Sequence, residues 1–555
     1  MRSGATENAG VGELSRSVLL LVWPAVALAV AGIAAWYLLA SKQLAGEFGL
    51  PLDDGWIHAR FAQNLARGQG FSFNPGEPTS TTTSPLWTLL LSVGYRLTGE
   101  HLFTSIAINF ALSMLLCAAI YKLSLLLVPR PWLALAAAGA AAVTVPLPWW
   151  LLSGMEPPLY AVLAIAGIAL HIALRAVRGW KSLLPTVVFA LAGLARPEMM
   201  LLFPLAMVDR LVMSLLDRQE GPLRRWGRAL CLHLPIFAVL VAPMFAYNWR
   251  VTGYLLPTSF YSKLQRVGIP GALADSRLSW WSALAAGPAR EVGEVWRVWA
   301  ADNCVLIVPF FVGFVWLIWQ AAKRADRGGR SLLIPMLLLV QPVAWALSAG
   351  YRPPSSQSQR YIADLNPLFI LLGMLGGWVL VERIPGLRRP GLRVFLFAAV
   401  LLASLARQPG GVETYAKNVR DTTQMQVAVG RWLRDNAPPG SLLAVNDIGA
   451  IGFIAGLPVL DLQGLVTPEI LPLRDFKRRL DGTAPRAVFE FIIDRRPDYL
   501  IIFPQWYPEL DARRDLFLPE FWVALDDNVT NGAPLMVVYR TAWAGHGERR
   551  GRPTS

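Results

Sequence analysis

The chain has 555 residues, 54% of them hydrophobic and only 16% charged, with a formal net charge of +14. This balance excludes an ordinary water-soluble domain and fits a polytopic membrane protein with some water-exposed mass. The positive charge does not point to nucleic acid, because the basic residues gather between apolar runs and no basic stripe interleaves with aromatics. Cys117, Cys231 and Cys304 lie in or beside apolar runs without paired spacing, and the five histidines are scattered. Neither a disulfide framework nor a metal site is indicated, and no cofactor is expected. No Walker A, nucleophile-elbow or dinucleotide-binding motif occurs.

The first apolar run, residues 17–40, exceeds the roughly 7–15-residue core of a signal peptide and can cross a ~30 Å hydrocarbon core. It reads as a retained membrane helix. Residues 53–68 (DDGWIHARFAQNLARG) read as a helix outside the membrane, with Asp53 as its N-cap. Ile57, Phe61 and Leu65 form its apolar stripe, His58 lies four residues beyond Asp54, and Arg60 lies seven beyond Asp53. Residues 85–98 are apolar but short, and read as a helix lying along the interface.

Further apolar runs sit near 102–127, 132–152, 158–174, 183–195, 198–216, 230–248, 304–321, 332–349, 362–381 and 392–407. With the first they predict about 11 transmembrane helices. Counting all of them places Arg130, Arg175, Arg210, Arg224, Lys323, Arg327 and Arg383 on one side, which the positive-inside rule makes the cytoplasm. The expected organisation is a transmembrane domain over 1–409 with outer-face loops at 41–101 and 249–302, and the C-terminal segment outside.

Residues 410–541 read as a water-soluble α/β domain. MQVAVGRWLRDN has helical periodicity and is stopped by APPGS. SLLAVND, PVLDLQ, YLIIF and PLMVVYR read as short strands, and 542–555 as a disordered tail. Trp506, Tyr507 and Trp522, with Asp511 and Asp526, suit either a glycan-docking surface or the packing of this domain.

On this topology the polar residues of interest share the outer face. Asp53 and Asp54 follow the first span. NPGEPTS supplies Glu77, SGMEPPLY Glu156, LARPEMM Arg196 and Glu198, GYLLPTSFYSK Tyr261 and Lys263, and YRPPSSQSQRY Arg352, Arg360 and Tyr361. Ionisable groups near membrane depth are costly, so a cluster of them on one face marks function.

The first loop, DDGWIHARFAQNLARGQGFSFNPGEPTSTTTSPLW, resembles the first outer loop of GT-C-fold glycosyltransferases. These polytopic enzymes use polyprenyl-phosphate sugars. They include protein O-mannosyltransferases, aminoarabinose transferases and the terminal arabinofuranosyltransferases of the mycobacterial wall. SGMEPPLY, ARPEMM, LLPTSFYSK, QRYI and VNDIGAIGFIAGLPVLDLQGLV are similar to further motifs of that last branch, in the same order. The resemblance implies a multi-pass enzyme of a bacterial inner membrane with its active site on the periplasmic or extracellular face. It would move a sugar such as arabinofuranose, in arabinogalactan or another part of cell-wall biogenesis, from a polyprenyl-phosphate donor to an envelope glycan, lipid or protein acceptor, without metal. Phosphate departs without strong acid help, so one carboxylate acting as base on the acceptor hydroxyl suffices. The resemblance places that base in the pair Asp53 and Asp54, without choosing between them. Glu156 would support the base or hold the acceptor. Arg360, then Arg196 and Lys263, would bind the donor phosphate, while His58, Arg60, Glu77, Glu198 and Tyr261 are candidate substrate contacts. A polytopic lipid or glycan transporter or flippase, and a non-catalytic glycan-binding membrane protein, are the alternatives.

Overall fold

The computed structural model describes residues 16–545 except 178, 264–268, 270–271, 274–278, 324–329, 349–352, 388–389 and 475–481. Arg352 and Arg327 therefore lie outside the described residues, as does most of the 542–555 tail. The chain forms a bundle of apolar helices topped at one end by a domain of mixed sheet and helix.

Among the described residues, seven helices are long and apolar enough to cross a membrane: Leu21–Ala45, Leu102–Leu127, Pro157–Leu174, Pro197–Leu216, Pro222–Thr252, Ser282–Ala322 and Leu365–Arg383. Pro131–Ala142 and Pro146–Leu152 add an eighth if taken as one span bent by 61°. The expected count of eleven is therefore reduced. Pro146 starts a new helix and breaks the run predicted over 132–152. Leu333–Leu347 has 15 residues, which at the α-helical rise reaches about 22 Å, short of the hydrocarbon core. The segment expected as a loop over 249–302 contains a helix. Gly287–Asn303 is an amphipathic helix that buries Val295, Val298 and Trp299 and turns Arg290 and Arg297 outward. Their three- and four-residue spacing outweighs the turn-like composition around them. A helix is present at Pro85–Thr98 as expected, with Leu89, Val93 and Leu97 forming an exposed apolar stripe one turn apart.

Helices Ile307–Ala322 and Leu365–Arg383 approach most closely at a glycine pair. A Cβ on Gly376 would stand 1.8 Å from the Pro309 carbonyl oxygen, and one on Gly313 2.1 Å from that of Leu372. Small residues at such crossings let helix backbones touch where lipid supplies no hydrophobic drive. Gly376→Val is expected to force the pair apart at a cost of about 3 kcal/mol or more, the upper end for overpacking. Size-exclusion chromatography of detergent extracts checks this, and a wild-type monodisperse peak would contradict it. At the end away from the sheet domain, the buried carboxylate of Asp209 accepts from His171 (2.8 Å), Arg175 (3.0 Å), Ser331 (3.1 Å) and the Leu332 N–H (2.6 Å), tying three segments together.

The C-terminal domain contains one five-stranded sheet, with strands β1 (Leu443–Val445), β2 (Val459–Asp461), β3 (Tyr499–Ile502), β4 (Phe517–Ala524) and β5 (Leu535–Thr541) in the order β2-β1-β3-β5-β4. β1 pairs parallel with β2 and β3, while β5 runs antiparallel to β3 and β4. The four predicted strands are present. β4 was not predicted, because its edge position leaves Leu518 and Trp522 exposed and blurs the alternation.

No hinge separates this domain from the bundle. Helix Gln408–Thr422 packs along the first helix, where the Tyr37 hydroxyl donates to Gln408 Oε1 at 2.8 Å. Val412, Tyr415 and Val419 belong to the membrane core, whereas Met425, Val429 and Leu433 belong to the sheet's core. Ile57, Phe61 and Phe73 of the first outer loop enter that second core, while Leu65 stays half-buried. The loop and the domain thus share one apolar interior.

Candidate active site

Helix Asp53–Ala66 begins where Leu52, in extended conformation, acts as N-cap without a side-chain bond. Asp53 is therefore not the cap of its own helix. Its Oδ2 accepts from the Gly449 N–H and its Oδ1 from the Ala450 N–H, each at 2.7 Å. It caps helix Gly449–Ala455 of the sheet domain, whose first N–H groups would otherwise lack partners. Only glycine fits at 449, since a Cβ there would come 2.1 Å from the Asp53 carbonyl oxygen.

Asp54 points to the other side. Its Oδ2 lies 2.6 Å from Arg360 Nη2 and 4.0 Å from Lys263 Nζ, and its side chain stays one-third exposed. Arg360 is buried, with Nη2 also 2.8 Å from the Tyr361 hydroxyl and Nη1 2.7 Å from Met155 Sδ. Three successive non-glycine residues before it, Gln357, Ser358 and Gln359, have φ of 50°, 52° and 62°. Each left-handed residue costs about 1–2 kcal/mol. Partners on other elements hold this turn. Trp150 Nε1 donates to the Ser358 carbonyl at 2.7 Å, Gln359 Nε2 to Asp302 at 2.6 Å, and Asn366 Nδ2 to Gln359 Oε1 at 2.7 Å. The strain aims Arg360 at Asp54.

Behind this layer lies a second. Glu156 Oε1 is 2.6 Å from Arg196 Nη1, and its Oε2 is 3.3 Å from His58 Nε2. Arg196 also reaches Glu198 at 2.7 Å and lies between the rings of Tyr160 (5.3 Å) and Tyr361 (5.1 Å). Glu156, Arg196 and Arg360 are each at most 4% exposed.

The environments divide the acids. Burial pushes Asp54 up, but Lys263, Arg360 and His58 outweigh it and hold its carboxyl well below the usual carboxylate range. Glu156 is likewise held low by His58 and Arg196 against burial. Asp53 is pushed upward by burial and by the neighbouring Asp447, against the two backbone N–H groups it accepts. Asp447, in turn, is raised by burial and by Asp54.

Of the candidates, Asp53, Asp54, His58, Glu156, Arg196, Glu198, Lys263 and Arg360 come together. Two others, Arg60 and Glu77, are engaged elsewhere, and Tyr261 lies two residues before Lys263. Arg60 is buried and spent on the Phe73 carbonyl (3.1 Å) and Gln63 (3.3 Å), so it braces the first loop. Glu77 accepts from Asn74 at 3.1 Å in the turn that also meets Val459. Tyr261 packs its ring on Tyr254 at 4.5 Å. In the sheet domain, Tyr507 is buried and bonded to Gln463, and Asp511 is held by Arg514 and the Tyr539 hydroxyl. Trp506 and Trp522 remain exposed. Sequence reasoning missed Asp447, Tyr160 and Met155. Asp447 stands in VNDIGA, a motif quoted for its resemblance, but no local signal joins it to an acid pair nearly 400 residues away. Among the described residues, no three His, Cys, Asp or Glu converge as a metal-binding group.

The multi-helix bundle with a polar site and a folded domain at one end is a GT-C-like fold, as its likeness to solved structures shows. It is similar to ArnT from Cupriavidus metallidurans bound to undecaprenyl phosphate, at 14% identity and a TM-score of 0.52 over 96% of this chain and all of that one. The apo form of the same protein gives 0.55 at 14% identity, over 94% of this chain and 98% of that one. The Archaeoglobus fulgidus oligosaccharyltransferase tethered to an acceptor peptide also gives 0.55, at 12% identity over 95% of this chain and 74% of that one. Residues 417–544 match a domain family described as of unknown function, DUF8728. No protein of curated function matches the chain by sequence.

Proposed function

We propose that this protein is a membrane glycosyltransferase that moves a sugar from a polyprenyl-phosphate donor to a cell-envelope acceptor on the outer face, with Asp54 as general base. The observation that carries the reading is the 2.6 Å pair of Asp54 and Arg360 with Lys263 beside it, which joins a base to two phosphate-binding cations. ArnT, which shares the fold, is bound to undecaprenyl phosphate in its structure. Of the two aspartates, Asp53 has both oxygens engaged by the sheet domain, whereas Asp54 is partly open. The acceptor oxygen attacks the anomeric carbon as the bond to phosphate breaks. Its proton passes to Asp54, and the released polyprenyl phosphate places its charge on Arg360 and Lys263. A single displacement of this kind inverts the anomeric carbon.

The ion pair also orders the steps. While Arg360 and Lys263 face Asp54 they hold its proton affinity down, so it is a poor base. A donor phosphate competes for both cations and returns basicity to Asp54 once the donor is in place. Arabinofuranose as the sugar and arabinogalactan as the acceptor rest on the motif resemblance. Titrating purified protein with polyprenyl phosphate, and comparing envelope glycans of a deletion strain with its parent, test the proposal. Saturable binding and loss of one envelope sugar linkage are expected. No binding together with unchanged glycans would refute it.

A further inference from the structure

The sheet domain meets the candidate site at two places, the start of helix Gly449–Ala455 and the loop after β2. At the first, Asp53 binds the N–H groups of Gly449 and Ala450, which fixes the start of the helix that carries Asp54. At the second, the loop after β2 is shaped by a single buried carboxylate. Asp461 accepts from the backbone N–H groups of Gln463 (2.7 Å), Leu465 and Val466 (2.9 Å). That fold leaves the carbonyls of Gln463 and Leu465 free to serve the outer loops. The Leu465 carbonyl takes the hydroxyls of Thr81 and Thr258, the latter at 2.5 Å, and the Gln463 carbonyl takes Ser262 at 2.7 Å. Thr258 also donates its N–H to the Ser80 carbonyl at 3.3 Å.

These bonds hold the short helix Thr258–Ser262, and Lys263 is the next residue. Lysine is a point charge on a flexible stem, and Lys263 is 38% exposed. Without an anchored backbone such a side chain has little reason to stay 4.0 Å from Asp54. The backbone is anchored from the sheet domain.

We propose that the sheet domain is a positioning frame for the donor-phosphate site, in which the hydroxyls of Thr258 and Ser262, held by the Leu465 and Gln463 carbonyls, keep Lys263 against Asp54 and so set affinity for a lipid-linked phosphate. This deepens, and rests on, the glycosyltransferase reading. Thr258 and Ser262 are positioning residues, since they act through Lys263. The frame gives the domain a part in donor binding as well as any part it has in docking the acceptor.

The test combines Thr258→Val with Ser262→Ala in the full-length protein, with Thr258→Ser and Ser262→Thr together as the conservative pair. Two measurements are made on each: hydrogen exchange of the amides from 258 to 263, and the Kd for polyprenyl phosphate. The Val/Ala variant is expected to exchange faster in that segment and to bind polyprenyl phosphate roughly tenfold more weakly, the worth of two modest hydrogen bonds. The conservative pair restores both. Wild-type affinity in the Val/Ala variant would overturn the frame while leaving the glycosyltransferase reading standing. Equal weakening in the conservative pair would also overturn it, because the hydroxyls would then not be the cause. A wild-type protein that binds no polyprenyl phosphate overturns the donor role of the frame, and together with unchanged envelope glycans it sinks the functional reading itself.

Discussion

Asp54→Asn is expected to lower sugar transfer by at least about a hundredfold, the low end of what a positioned general base contributes. The amide keeps an oxygen for Arg360, so insertion and yield are expected to survive while the group that takes the proton is gone. Asp53→Asn is expected to fail differently. Its amide turns one donor toward either the Gly449 or the Ala450 N–H, so one of the two bonds to the sheet domain is lost. A buried donor left without a partner costs about 1–3 kcal/mol, which appears as a lower Tm. Turnover measured beside thermal unfolding separates the two residues. Near-normal turnover in Asp54→Asn would remove it as the base, and an unchanged Tm in Asp53→Asn would remove the cap.

Arg360→Ala is expected to weaken polyprenyl-phosphate binding by roughly a hundredfold, near the upper end for charge-assisted hydrogen bonds. Arg360→Lys should recover only part of this, because an ammonium lacks the planar fork that grips two phosphate oxygens. Removing Arg360 also strips a counter-charge from Asp54, so a double-mutant cycle is needed. If Arg360 served only to hold Asp54, alanine at 360 would cost nothing further in an Asp54→Asn background. Donor affinity falls again in that background if the guanidinium meets the phosphate itself. Titration of polyprenyl phosphate against the four proteins of the cycle decides between the two.

The acid pair illustrates where reading from the chain stops. Two adjacent aspartates just after a membrane helix are visible as letters, and their cost near the bilayer marks them as functional. Their division of labour is not visible. Asp53 meets a partner 396 residues later and Asp54 one 306 residues later. A helix start offers a local explanation for Asp53 as an N-cap, and that local explanation is the wrong one. Arg60 fails for the same reason. Its spacing from Asp53 places it near the same helix face, but the Phe73 carbonyl claims its guanidinium first. The turn that aims Arg360 carries no glycine, so nothing in QSQR announces three left-handed residues in a row.

By itself the sequence determined the membrane class, the α/β domain with four of its five strands, and the acid pair just after the first apolar helix. Each of these rests on hydropathy, charge or alternation within a window of some twenty residues or fewer, and such signals are local. The tertiary structure decided the rest. It set the number of full-length spans, because proline breaks and helix lengths depend on packing. It split the aspartate pair between a structural cap and an ion pair, and it gave Arg60 and Glu77 partners within the first loop and its turn. It also joined the sheet domain to Asp53 and to the backbone that carries Lys263. Those outcomes depend on which distant backbone groups need partners once the chain is folded, and no stretch of sequence states that need.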